Sequence, residues 1–165
     1  MFGLFKIKGD FNFGDLIISI VIHLGGGWLV GIIVGNSKEL YEALEKPIFS
    51  PPSIVFPIVW SILYVMMAIA AYRIYELKKK ENVKGALGFY VIQLVLNFLW
   101  SIIFFKFRLY GLAFIELVIL LIFILISIWK FIRVDKIAGY LLIPYALWCT
   151  FAGVLNFFIW MLNEM

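Results

Sequence analysis

Residues able to do chemistry in this chain are few, and most are aromatic or amide side chains set inside apolar runs. Gln93, Asn97, Trp100 and Phe104 recur at spacings of four, three and four, which places them on one face of a helix. Trp60, Glu116, Trp148 and Asn156 lie in three other apolar runs. Indoles and phenyl rings supply flat apolar surface, and a few convergent amides or carboxylates orient a guest, the usual make-up of a small-molecule site. Glu116 is the one acid well inside an apolar run, and an intramembrane carboxylate is a functional-site candidate by default, with Asn97, Asn156 or Arg108 as expected partners. The competing reading is a helix-start carboxylate favoured by the macrodipole. His23 stands without a second ligand at metal spacing, so no metal site is expected. Cys149 is a single cysteine that reads as a small apolar residue.

The elements that must position these residues are membrane helices. Of the 165 residues, 65% are hydrophobic and 15% charged, and mean hydropathy is +1.07, outside the range of soluble domains. Five runs are long enough to cross a bilayer core, which takes roughly 20 residues: Leu16 to Val34, Ile54 to Ile74, Ala86 to Phe105, Gly111 to Ile132, and Ile137 to Leu162. The last is expected to tilt or to bend at Pro144. None alternates with the period of barrel strands, so the expected fold is an all-α integral membrane protein, a five-transmembrane-helix bundle. The tail and loops are too short for a second core, so residues 1–165 read as one domain. Lys6 and Lys8 precede the first span, which is too long for a signal peptide and lacks a cleavable small-residue site.

Basic residues set the expected orientation. One side holds Lys6, Lys8, Arg73, Lys78, Lys79, Lys80, Lys84, Lys130, Arg133 and Lys136, against Lys38, Lys46, Lys106 and Arg108 on the other. The positive-inside tendency then puts the N-terminus in the cytoplasm and the C-terminus outside. The net charge of +4 reflects topology and anionic lipid rather than nucleic acid.

Depth sharpens the site. At the helical rise, Trp60 lies roughly 10 Å in from Ser53, and Trp100, Glu116 and Asn156 each about 9 Å in from the same side. Trp148 is deeper, whereas Trp129 beside Lys130 reads as an interface anchor. Helix packing is the plain account of these tryptophans; a cavity is the sharper one, favoured by their shared level. In the loop ahead of the second span, Ser50 is expected to cap that helix with Pro51 and Pro52 in its first turn, and Pro57 to kink it slightly. Gly27, Gly31 and Gly35 recur every four residues and read equally as a dimer seam or as a pocket wall.

Together these residues resemble the TspO or translocator protein family, also called tryptophan-rich sensory proteins and peripheral benzodiazepine receptors. The similarity is carried by Lys46-Pro47 with Pro51-Pro52, Phe56-Pro57 with Trp60 and Leu63-Tyr64, Gln93 with Leu96-Asn97 and Trp100, Phe104-Phe105 with Arg108 and Gly111, and Leu141 to Tyr145 with Trp148, Phe151-Ala152 and Leu155-Asn156. The resemblance implies a bundle that binds tetrapyrroles such as protoporphyrin IX or other apolar small molecules, often as a homodimer, with no required cofactor. It also implies pocket residues Phe49, Asn97, Trp100, Trp148 and Ala152, beside Trp60, Glu116 and Asn156 from the reading above. Lys46 and Arg108 would face porphyrin carboxylates at the mouth. Family members commonly carry tryptophan where Leu40 and Phe49 stand, and Phe157 with a cation-free tail departs from the sterol motif, so weak or absent sterol binding is expected. The implied role is a sensor or transporter in a bacterial or archaeal cell membrane, not an enzyme. Light-dependent porphyrin degradation and a structural assembly role are the alternatives.

Overall fold

A computed structural model describes residues 12–79 and 83–165. Lys6, Lys8 and Lys80, on which part of the orientation argument rests, lie outside them. Among the described residues five helical stretches are long and apolar enough to cross a membrane: Phe13–Val34, Val55–Glu76, Lys84–Lys106, Tyr110–Val134 and Lys136–Asn163. We label the helices α1 (Phe13–Val34), α2 (Ser37–Ala43), α3 (Val55–Glu76), α4 (Lys84–Ser101), α5 (Tyr110–Val134), α6 (Lys136–Leu141) and α7 (Ile143–Asn163). Each span follows its apolar run to within three residues at either end.

Chain punctuation explains the ends. Asn12 caps α1 by accepting from the Asp15 amide at 3.2 Å, and Gly35 closes it at φ +73°, a conformation that glycine alone adopts freely. Gly35 is therefore the cap of α1 and not a third tooth of a glycine strip. The fifth span breaks at Leu142, and Pro144 falls in the first turn of α7, where its missing donor is not needed. The bend expected at Pro144 is thus a helix break two residues ahead of it, at Leu142.

The start of α3 corrects the expected cap. No side chain caps the helix, which begins at Val55, so Ser50 and the Pro51-Pro52 pair belong to the loop. The Val55 amide bonds the Pro52 carbonyl at 3.0 Å. Pro57 consequently stands in the first turn of α3, where amides lack intrahelical partners, and it frees no carbonyl.

α4 runs into a π-helical turn, Ile102–Lys106, whose wider winding ends at Arg108 in the left-handed region, φ 57°. α5 packs against α4, α6 and α7, and α3 packs against α1 and α6. At the end away from the proline loop, Arg73 Nε donates to Asp135 Oδ2 at 2.6 Å, tying α3 to the α5–α6 corner. Of α1 only Leu16 and His23 are buried. The imidazole Nδ1 donates to the Ser19 carbonyl at 2.7 Å and Nε2 meets the Tyr90 hydroxyl at 2.6 Å, while Ser19 Oγ donates to the Ala68 carbonyl at 2.7 Å. His23 is thus a hydrogen-bonded packing residue that pins α1 to α4, while Ser19 pins it to α3. Ile119, Ile122 and Leu125 are exposed, as lipid-facing residues of a bundle are.

Candidate functional site

The wall of the site begins with two glycines. A Cβ on Gly27 would stand 2.5 Å from the Tyr64 ring, and one on Gly26 would stand 2.5 Å from Phe98, so α1 approaches α3 and α4 here at backbone distance. Beyond that contact the helices part around a cavity of about 320 Å³. Its walls are Gly27, Val30, Gly31 and Val34 of α1, Phe56, Pro57, Trp60 and Tyr64 of α3, Trp100 and Ser101 of α4, and Phe105 of the π turn. Ser37, Lys38, Tyr41, Ser53 and Ile54 complete it at the loop end. The volume lies in the range of roughly 300–1,000 Å³ usual for small-molecule sites.

The loop end is tied down by polar contacts. Tyr41 donates to the Pro51 carbonyl at 2.9 Å, and Ser53 Oγ donates to Glu42 at 2.8 Å, closing α2 onto the proline loop. Asn163 Oδ1 accepts from the Glu45 amide at 3.2 Å, and its Nδ2 donates to the Glu45 carbonyl at 2.9 Å, joining the same loop to the end of α7. Burial of the Tyr41 phenol pushes its pKa above the usual tyrosine value.

Beneath the cavity lies a polar floor. Tyr64 donates to Asn97 Oδ1 at 2.8 Å, Asn97 Nδ2 donates to the Tyr145 hydroxyl at 3.1 Å, and Tyr145 donates to Gln93 Oε1 at 2.9 Å. Such a chain fixes α3, α4 and α7 in one register, because each buried amide or hydroxyl finds its partner on another helix. Asn97 is spent on this chain and positions Tyr64; it is not itself in the cavity wall.

A second hollow of about 20 Å³ sits across Trp100 and Phe56, lined also by Phe104, Ala152, Leu155 and Asn156. The structure therefore distributes the expected residues. Trp60 and Trp100 line the larger cavity, and Ala152 and Asn156 join Trp100 at the smaller one. Phe49 and Trp148 stand on an aromatic belt behind Phe56: Phe49 meets Phe158 at 5.5 Å, Trp148 meets Phe151 at 5.5 Å, and Trp148 meets Phe56 at 5.9 Å between centroids. Glu116 lines neither hollow.

The expected cations also part company. Lys46 Nζ donates to the carbonyls of Tyr41, Leu44 and Glu42 at 2.6, 2.8 and 3.1 Å, holding the end of α2, and Arg108 is exposed on the turn after the π segment. Lys38 instead lines the cavity; its side chain is 74% exposed and 3.9 Å from Glu42, so the cavity reaches the surface beside a cation. Sequence reasoning missed Lys38, Tyr41 and Phe105 as wall residues. Their signal was weak because two belong to a seven-residue helix and the third to a turn with non-α periodicity. Among the described residues no three His, Cys, Asp or Glu side chains gather into a metal site.

Comparison with known proteins adds to this geometry. A family model described as the TspO/MBR family matches residues 19–161. The tryptophan-rich sensory protein of Cereibacter sphaeroides is 39% identical over 119 residues, covering 72% of this chain and 73% of that protein. The tryptophan-rich protein TspO of Archaeoglobus fulgidus is 33% identical over 92% of this chain and 99% of its own length. The translocator protein of Sus scrofa is 32% identical over 88% of each chain.

Proposed function

The chain belongs to the TspO/MBR family, and from that premise we propose that it is a membrane sensor or transporter that takes tetrapyrroles such as protoporphyrin IX into the cavity between α1, α3 and α4. The observation that carries the reading is the convergence of Trp60, Tyr64, Trp100 and Phe105 on one hollow whose opposite wall is Gly27 and Gly31. Aromatic faces on one side and bare backbone on the other suit a broad, flat, apolar guest. Lys38 at the surface end supplies a cation for a guest carboxylate, a role that Lys46 cannot fill while its amine holds three carbonyls. Other apolar ligands of similar shape would enter by the same logic.

We place the N-terminus on the cytoplasmic side. In support, the end of the bundle away from the proline loop carries Arg73, Lys78, Lys84, Lys130, Arg133 and Lys136. At that end Arg133 lies 3.7 Å from the exposed Trp129 ring and Lys78 lies 3.3 Å from the Tyr75 ring, the pairing of cations and aromatics found at headgroup level.

Titrating the purified protein with protoporphyrin IX while recording tryptophan emission tests the proposal. Saturable quenching is expected, because Trp60 and Trp100 face the cavity. Emission unchanged at saturating porphyrin would overturn it. The same complex under illumination separates binding from degradation: constant porphyrin absorbance supports a sensor or transporter, and bleaching that depends on Trp100 supports the photochemical alternative.

A further inference from the structure

Glu116 is the seventh residue of α5, about 9 Å along the helix from Tyr110. It is 7% exposed, and neither carboxyl oxygen has a hydrogen-bond partner among the described residues. The partners expected for it are engaged elsewhere. Asn97 lies between Tyr64 and Tyr145, Asn156 lies between Trp100 and the Tyr110 carbonyl, and Arg108 is exposed.

The elements packed on α5 offer no cation at that depth. Lys84 of α4, Lys106 of the π turn, and Lys136 and Tyr140 of α6 are all exposed. Tyr90 of α4 stacks on Phe131, about 20 Å further along α5. From α7, Tyr145 is bonded into the polar floor, and Cys149 lies within electrostatic reach of the carboxylate. A charge left alone there would bear an uncompensated desolvation cost. Neither hollow is lined by Glu116, so neither brings an organic guest against its carboxyl group. The occupant that fits is the smallest one.

The structure assigns Glu116 as an intramembrane proton-binding site, its ligand a single exchangeable proton on the carboxyl group. α7, which packs on α5, carries Ala152 and Asn156 to the smaller hollow, so the proton sets the charge one helix behind that wall. The assignment rests on burial and missing partners and stands whichever guest the cavity takes.

Infrared spectra of the protein in lipid vesicles at neutral pH test it without any porphyrin. A carbonyl-stretch band of an un-ionised carboxylic acid is expected, shifted by labelling glutamate with ¹³C at the carboxyl carbon and lost in E116Q. Should E116Q fail to fold, E116D is expected to retain an acid band that no longer responds to the glutamate label. Absence of the band in the wild type, its persistence in E116Q, or a band in E116D that still shifts with the glutamate label overturns the assignment.

Discussion

Trp100 Nε1 donates to Asn156 Oδ1 at 3.1 Å, and Asn156 Nδ2 donates to the Tyr110 carbonyl at 2.9 Å. One indole thereby lines both hollows with its ring and joins α4, α7 and the start of α5 with its N–H. That start is closed from the other side by Glu164, whose carboxylate accepts from the Tyr110 and Gly111 amides at 2.9 Å each, an acid at a helix N-terminus.

Trp100→Phe keeps a ring in the wall and removes the donor. The expected result is near-normal ligand binding with a stability loss of about 1 kcal/mol, the scale of one interhelical hydrogen bond in a membrane protein. Thermal unfolding in detergent beside a binding titration reads the two effects separately, and a large affinity loss with unchanged stability would contradict the tie described here.

The tryptophans should rank by the hollow they face. Trp60→Ala opens the larger cavity, Trp148→Ala acts through Phe56 on the belt, and Trp129→Ala removes a ring that is 52% exposed. Affinity for protoporphyrin is expected to fall most for the first, less for the second and little for the third. Equal losses for Trp60→Ala and Trp129→Ala would show that the cavity is not the binding site.

The two glycines of the wall should respond oppositely. A Cβ on Gly31 meets nothing within 4 Å, so Gly31→Leu fills the cavity while relieving the cost of glycine in a helix, about 0.8–1 kcal/mol. At least tenfold weaker binding at unchanged or higher melting temperature is expected. Gly27→Ala drives a methyl into the Tyr64 ring and strains the Tyr64–Asn97 bond, so it is expected to lower the melting temperature instead.

Alkaline pH should loosen the contact between α2 and the proline loop. Because burial raises the Tyr41 phenol, the folded state holds that proton more tightly than the unfolded state does. The contribution is full below the ordinary tyrosine value of 10.0 and is lost as pH rises through the folded value. The protection of α2 amides, taken relative to their intrinsic base-catalysed exchange rate, should fall in that alkaline window in the wild type, and Tyr41→Phe, which lacks both the proton and the bond to Pro51, should show no such fall.

Composition and period alone determined the membrane class, the five spans and the buried face of Gln93, Asn97, Trp100 and Phe104, since lipid tolerates neither open backbone nor polar groups turned outward. An interruption of the fifth span was legible in Pro144 as a bend at the proline; the structure instead ends one helix before Leu142 and seats the ring in the first turn of the next. Where each polar group spends its hydrogen bonds was not legible, because partners such as Asn97 and Tyr145 lie 48 positions apart in the chain and meet only when three helices pack. That pairing decided that Asn97 is floor and not wall, that Trp148 stands behind Phe56, and that Lys46 grips carbonyls while Lys38 faces the cavity. A helix's own sequence fixes which side is apolar; which neighbour fills that side is fixed by the packing of the whole bundle.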